Sequence, residues 1–439
     1  MSGRIVFTGA HLIDGERTPS DGMTVVVSGG RIHSVTQDAA APPTEPEDQV
    51  VALAGKTLMP GMVQGHFHSH FGAFGEGVSA PALGLEASPA FLAMLAAKNA
   101  GIALDHGYTS AVGASNAHVI DVALKEAILL GHVRGPRYRA CTRELVTTGE
   151  YSDYENNRNW FMGLRDTGLT YKVDGPDEWR FAVRSELGKG ADIVKISASA
   201  GHGSMPARGT IYLTPDELRA CVDTAHGFGK KVRAHVATKE GVLACARAGV
   251  DLIDHADRMD RECIDAILEA EAFVLPSMLW TSRFLELAEN WDHEAHVLPI
   301  NEGFPETREE TLARIRGVRE DYEYTCGIVP EAAQAGVKLV VGDDYGTPIM
   351  PHGDYGAELE LYVKELGIPA LDVIRWATKN GAELMDMGDE LGTVEEGKLA
   401  DLIIVAGDPG RDISCLRYPD NVLAVLKGGD WVKNELARS

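Results

Sequence analysis

The sequence predicts an α/β protein: a (β/α)8 barrel of the TIM type, with a small β-sandwich formed by both chain ends. Short β-rich runs alternate with helical patterns through the middle of the chain, which implies a parallel sheet. The strand candidates there number eight, spread over about 330 residues, the size of a barrel with insertions. The two ends resemble each other and not the middle, reading as strands separated by Gly, Asp and Pro.

In order along the chain, residues 4–8, 23–28, 31–36 and 50–53 are strands of the first end. Residues 399–407 and 421–429 are those of the last. Neither end alone has enough strands to bury a face, so residues 1–60 and 397–439 are expected to form one sandwich around a catalytic barrel at 61–396. Barrel strands are expected at 62–68, 109–114, 137–143, 191–198, 230–235, 250–255, 272–278 and 337–343. Helices are expected at 89–104, 116–131, 176–188, 215–228, 238–248 and 259–270. An open doubly wound sheet is the competing architecture; it would usually carry a Gly-rich phosphate loop after its first strand, and none is present. Two connections are long, 144–175 and 279–305, and residues 39–48 read as a surface loop.

Composition narrows the class. A 44% hydrophobic and 24% charged content over 439 residues is that of a globular protein with a sizeable core. The net charge of −24 argues against a nucleic-acid partner, which needs a basic face. Six scattered cysteines, with no Cys-x-x-Cys pair, fit buried thiols in a reducing compartment. The first residues lack the apolar stretch of a signal peptide, and no run approaches the ~18 apolar residues of a membrane span. A cytoplasmic protein with no membrane contact is expected, a homo-oligomer acting on a small molecule.

The chemistry lies at strand ends. His66 and His68 close the first barrel strand, where alternate residues face the same way and can share an ion. Alone, His-x-His is a weak signal that a chance pair on a sheet face explains as well. Lys195 sits in the fourth strand among Ile193, Val194 and Ile196, where an amine must be paired or modified. His235 and His255 close strands five and six, and Asp343 and Asp344 close strand eight. Ligand-type residues at the carboxyl ends of five of eight strands converge on one barrel mouth, which points to a metal site.

These segments resemble the amidohydrolase superfamily, in the binuclear branch that includes imidazolonepropionase-like proteins, Xaa-Pro, Xaa-Arg and Xaa-Lys dipeptidases, and phenylurea and thiocarbamate (molinate) hydrolases. The segments that carry it are LMPGMVQGHFHSH, GADIVKIS, VRAHVATKEGV, AGVDLIDHAD, VGDDYG with PHGDYGAEL, and ATKNGAELMDMGDELGTVEEGKLADLIIVAGDP. The resemblance implies two divalent ions, zinc with manganese or cobalt as alternatives. His66 and His68 would hold one with the strand-eight aspartate, and His235 and His255 the other. Lys195 would be carboxylated into a bridging anion. The family's glycine–threonine–aspartate maps onto Gly342-Asp343-Asp344, making Asp344 the ligand and general base, with the reverse assignment to Asp343 left open. The chain departs from the family at Gly65, at TSAVGA (109–114) and in EYSDYENNRNWF after Gly149.

Those departures leave the substrate open. Tyr151, Tyr154, Trp160 and Phe161 in one long connection, and Trp280, Phe284 and Trp291 in the other, could wall a pocket or simply pack their loops. His202 and His352 are candidates to hydrogen-bond a substrate carbonyl, and Arg158 and Arg165 to meet a carboxylate. The expected reaction is hydrolysis of an amide-type C–N bond, in an N-acyl amino acid or dipeptide or in an aryl amide, urea or carbamate, with a slight leaning to the aromatic group. Deamination or cyclic-amide opening of a heterocycle is the alternative, and a ligand-free scaffold a third reading.

Overall fold

A computed structural model describes residues 3–72, 87–153, 160–164, 166–209, 211–289, 291, 306–347 and 349–436. Tyr154, Arg158, Arg165 and the side chains of Trp160 and Phe161 lie outside this description, as does most of 290–305.

The barrel strands follow in chain order: Met62–Phe67, Tyr108–Gly113, Arg137–Arg139 continuing as Cys141–Val146, Ile193–Ser197, Lys231–Val236, Leu252–His255, Phe273–Leu275 and Lys338–Leu339. Each pairs in parallel with the next. The third strand is interrupted at Ala140: its first part pairs with strand two and its second with strand four, so two sheets become one barrel. Closure is made where the Gly65 amide donates to the Val341 carbonyl at 2.8 Å. Gly342 makes that approach possible, since a Cβ there would stand 2.4 Å from the His66 amide nitrogen.

The expected helices are present, with the second shortened to Ile120–Leu129 because His118 and Val119 adopt positive φ. The connection expected as a loop from residue 279 instead opens with the helix Met278–Glu289. Within the long connection after strand three, Thr170–Lys172 returns to pair beside Cys141–Val146.

Both chain ends enter one eight-stranded sheet. Lys56–Pro60, a strand absent from the sequence-based expectation, links them by pairing with Ile5–Leu12 on one side and Leu402–Ala406 on the other. This sheet encloses its own core, including Phe7, Val25, Leu58, Leu402 and Leu426. All six cysteines are free. No helix among the described residues is long and apolar enough to cross a membrane.

Candidate metal centre

At the carboxyl ends of strands one and eight, three side chains meet. His66 Nε2 lies 2.8 Å from Asp344 Oδ1, His68 Nε2 lies 3.1 Å from the same oxygen, and the two imidazole nitrogens are 3.1 Å apart. Burial holds the His68 imidazole down at about 4, so near neutral pH it keeps the lone pair that a ligand needs. Burial alone would raise the Asp344 carboxyl, yet His66, His68 and His255 around it hold it well below the usual range.

Asp344 also faces a second group. One ligand atom each from His202, His255 and Asp344 fall within 4.8 Å of one another, as do those of His66, His68 and Asp344. His235 stands beside this group, its ring centroid 4.6 Å from that of His255. Its Nε2 is engaged, 3.0 Å from the Gly201 carbonyl and 3.3 Å from the Tyr151 hydroxyl, and neither ligand-type group includes it. Burial pushes His235 down to about 3 and His255 well below its ordinary value. Neutral imidazoles and an ionised carboxylate are the donor set that a divalent ion takes.

The neighbouring aspartate does other work. Asp343 accepts from Ser277 Oγ at 2.8 Å and from the amides of Leu279 and Trp280, at the start of the helix Met278–Glu289. Its two oxygens are occupied by these bonds, and Asp344 is the aspartate grouped with the histidines. Burial, with Asp344 close by, pushes Asp343 up to about 6.

Lys195 is buried and donates to Asp254 Oδ2 at 2.8 Å. Arg233 grips the same carboxylate at 2.7 and 3.0 Å and donates to the carbonyls of Gly65 and Gly113. Its remaining contact, NH2 to His66 Nδ1 at 2.8 Å, places this cation under the first-strand ligands. Glu144 pairs in register with Lys195, and burial raises its carboxyl.

Sequence reasoning missed Asp254, Arg233 and Glu144. The signal for Arg233 was the one used for Lys195: a charge among Val232 and Ala234 in a strand needs a buried partner. The candidate substrate contacts divide. His202 Nδ1 lies 3.1 Å from Asp257 Oδ1, while its buried Nε2 has no hydrogen-bond partner among the described residues. Burial lowers the His202 imidazole, but Asp257 outweighs it and carries the group up to about 9. His352, expected to reach substrate, instead uses both nitrogens on the protein, at 3.0 Å from the Tyr355 hydroxyl and 3.1 Å from the His68 carbonyl. Of the described aromatics, Phe284 is fully buried core and Trp280 packs on Gly203, while Tyr151 reaches His235.

The model of the amidohydrolase family matches residues 57–432, most of the chain. The chain belongs to the amidohydrolase family. This amidohydrolase is 27% identical to ochratoxinase of Aspergillus niger over 98% of the chain and 86% of that protein. A Xaa-Pro dipeptidase with methionine bound in its active site superposes with a TM-score of 0.82 at 27% identity, covering 98% of this chain and all of that one. A prolidase complexed with N-methylphosphonate-L-proline matches over the same extent, with the same TM-score and identity. The amidohydrolase is thus a hydrolase of amide-type C–N bonds with a small-molecule substrate.

Proposed function

We propose that the protein is a binuclear metal hydrolase that cleaves the amide of an N-acyl amino acid or dipeptide. The observation that carries this is Asp344, whose carboxylate belongs to two histidine groups at once. In this reading His66, His68 and Asp344 would hold one divalent ion and His255, with His235 beside it, the other, while carboxylation of Lys195 would turn the amine that now donates to Asp254 into a further anionic donor. Zinc suits these nitrogen and oxygen donors, with manganese or cobalt as substitutes.

Bound ions would supply a Lewis acid for the substrate carbonyl and lower the pKa of an attacking water. The chain's residues provide the rest. Asp344 accepts the proton released as water forms its bond to the carbonyl carbon, then delivers it to the nitrogen as the C–N bond breaks, giving a carboxylic acid and an amine. Arg233 and Asp254 keep His66 in place from below. His352 holds the His68 backbone from the side rather than meeting substrate.

The amino-acid amide is favoured over the aryl urea because the relatives at 27% identity include a Xaa-Pro dipeptidase and a prolidase holding a proline phosphonate. A screen of the zinc- and manganese-loaded enzyme against N-acyl amino acids, dipeptides, anilides and aryl ureas tests it. Release of free amino acid from the first two classes is expected. Turnover confined to aryl ureas, or to deamination of a heterocycle, would contradict the reading.

A further inference from the structure

His202 lies outside the expected ligand set, on the loop after strand four, yet its ring is stacked on His255 with centroids 3.7 Å apart and planes 16° apart. We infer that His202 is itself a protein ligand of the second ion, bound through Nε2 beside His255 and Asp344. The inference rests on the binuclear reading above and extends it.

Three observations support this role. The first is proximity: His202, His255 and Asp344 each bring one ligand atom within 4.8 Å of the others. The second is the tautomer. With Asp257 oxygens at 3.1 and 3.2 Å from Nδ1, that nitrogen carries the hydrogen and donates it, so an ion would bind at Nε2 by displacing the proton that Asp257 otherwise favours there. A carboxylate behind a histidine in this manner fixes the ring and raises its basicity as a ligand. Nε2 is buried with no hydrogen-bond partner among the described residues, an arrangement that a polar atom tolerates poorly unless something else binds it.

The third is backbone strain at both members of the stack. His202 has φ +85° and His255 φ +75°, a region that a side chain with a Cβ rarely adopts. Such residues persist where surrounding structure imposes the conformation, and they cluster at functional sites. The imposing contacts are visible. The helix Arg308–Ala335 pins the loop that carries His202: Arg314 donates to the Ser204 carbonyl at 2.8 Å, and Asp321 accepts from the Ala207 amide at 2.6 Å. Trp280 packs where a side chain on Gly203 would stand. The loop is therefore clamped in the position that presents Nε2 to His255 and Asp344.

A substrate-contacting role would make a different demand. A histidine that only touches substrate can be removed without changing how tightly ions are held, whereas a ligand cannot. Metal-free protein titrated with Zn2+ against a chromophoric chelator separates these, with near-UV circular dichroism to confirm folding. His202→Ala should keep the ion at His66, His68 and Asp344 and bind the second at least 100-fold more weakly than wild type. Asp257→Asn, which leaves the imidazole present but unanchored, should weaken the second ion about tenfold. Co2+-loaded protein should show the matching loss of visible absorbance from the second site in both variants. A second ion held by His202→Ala as tightly as by wild type would overturn the inference while leaving the binuclear reading intact. A wild-type protein that takes up no Zn2+ would instead overturn the reading beneath it.

Discussion

Arg233 and Asp254 form a two-point ion pair at full burial, with NH2–Oδ1 at 2.7 Å and Nε–Oδ2 at 3.0 Å, directly below His66. Both charges have left water, and the pair is tolerable only because Lys195, His66 and the carbonyls of Gly65 and Gly113 complete its hydrogen bonds. Removing Arg233 takes two charge-assisted bonds from the buried Asp254 carboxylate and leaves Lys195 as its remaining cationic partner. Arg233→Met is expected to lose about 3–5 kcal/mol of stability, read as a drop in urea midpoint, and to weaken the His66 ion site in the fraction that still folds. A variant with wild-type stability would show that the pair contributes nothing.

Lys195 shares that carboxylate, and its proposed modification makes a separate prediction. Lys195→Ala should lose most of the second ion and of the activity. Lys125→Ala, which removes a lysine paired with Asp192 outside the mouth, should lose neither. Metal analysis and a carbon-13 signal from labelled bicarbonate, present in wild type and absent from Lys195→Ala, check this together.

Asp343 and Asp344 are adjacent but unequal. Asp343 secures Ser277 and the first amides of the following helix, so Asp343→Ala should cost about 1–3 kcal/mol of stability while the bound metal is retained. Thermal unfolding alongside metal analysis distinguishes this from a ligand role, which would remove metal as well.

A pH effect follows from Glu358, which accepts from the Gly342 amide and from the hydroxyls of Tyr345 and Tyr362. Burial, reinforced by Asp343, pushes its carboxyl up from 4.5 to about 8. The folded state therefore keeps a proton that the unfolded chain releases, and stability should fall as pH rises from about 4.5 to about 8. Glu358→Gln removes this titration, so its urea-unfolding free energy should vary less over that window than the wild type's.

Much of this was legible in the sequence because βα alternation and strand-end residues report barrel geometry directly. His66, His68, His255 and Asp344 were readable as residues closing predicted strands, and the structure brings them together. What was not legible depended on side-chain direction. His352 shares a loop with residues near the mouth but turns both nitrogens to Tyr355 and His68, a choice that no spacing encodes. His202 stands beyond a strand end on an irregular loop, and its place beside His255 is set by the distant helix Arg308–Ala335. Lys56–Pro60 escaped notice because a short strand at a Pro-Gly boundary looks like a turn until Leu402–Ala406 pairs with it.

If one carboxylate, Asp344, joins two histidine groups around divalent ions, its loss should empty both positions. Metal content after exhaustive dialysis, measured for wild type and Asp344→Ala, tests it most directly. The wild type should retain about two ions per chain, as expected of a binuclear site, and the variant should lose tight binding at both positions while remaining folded. An Asp344→Ala protein that keeps the wild-type complement of metal would contradict the account.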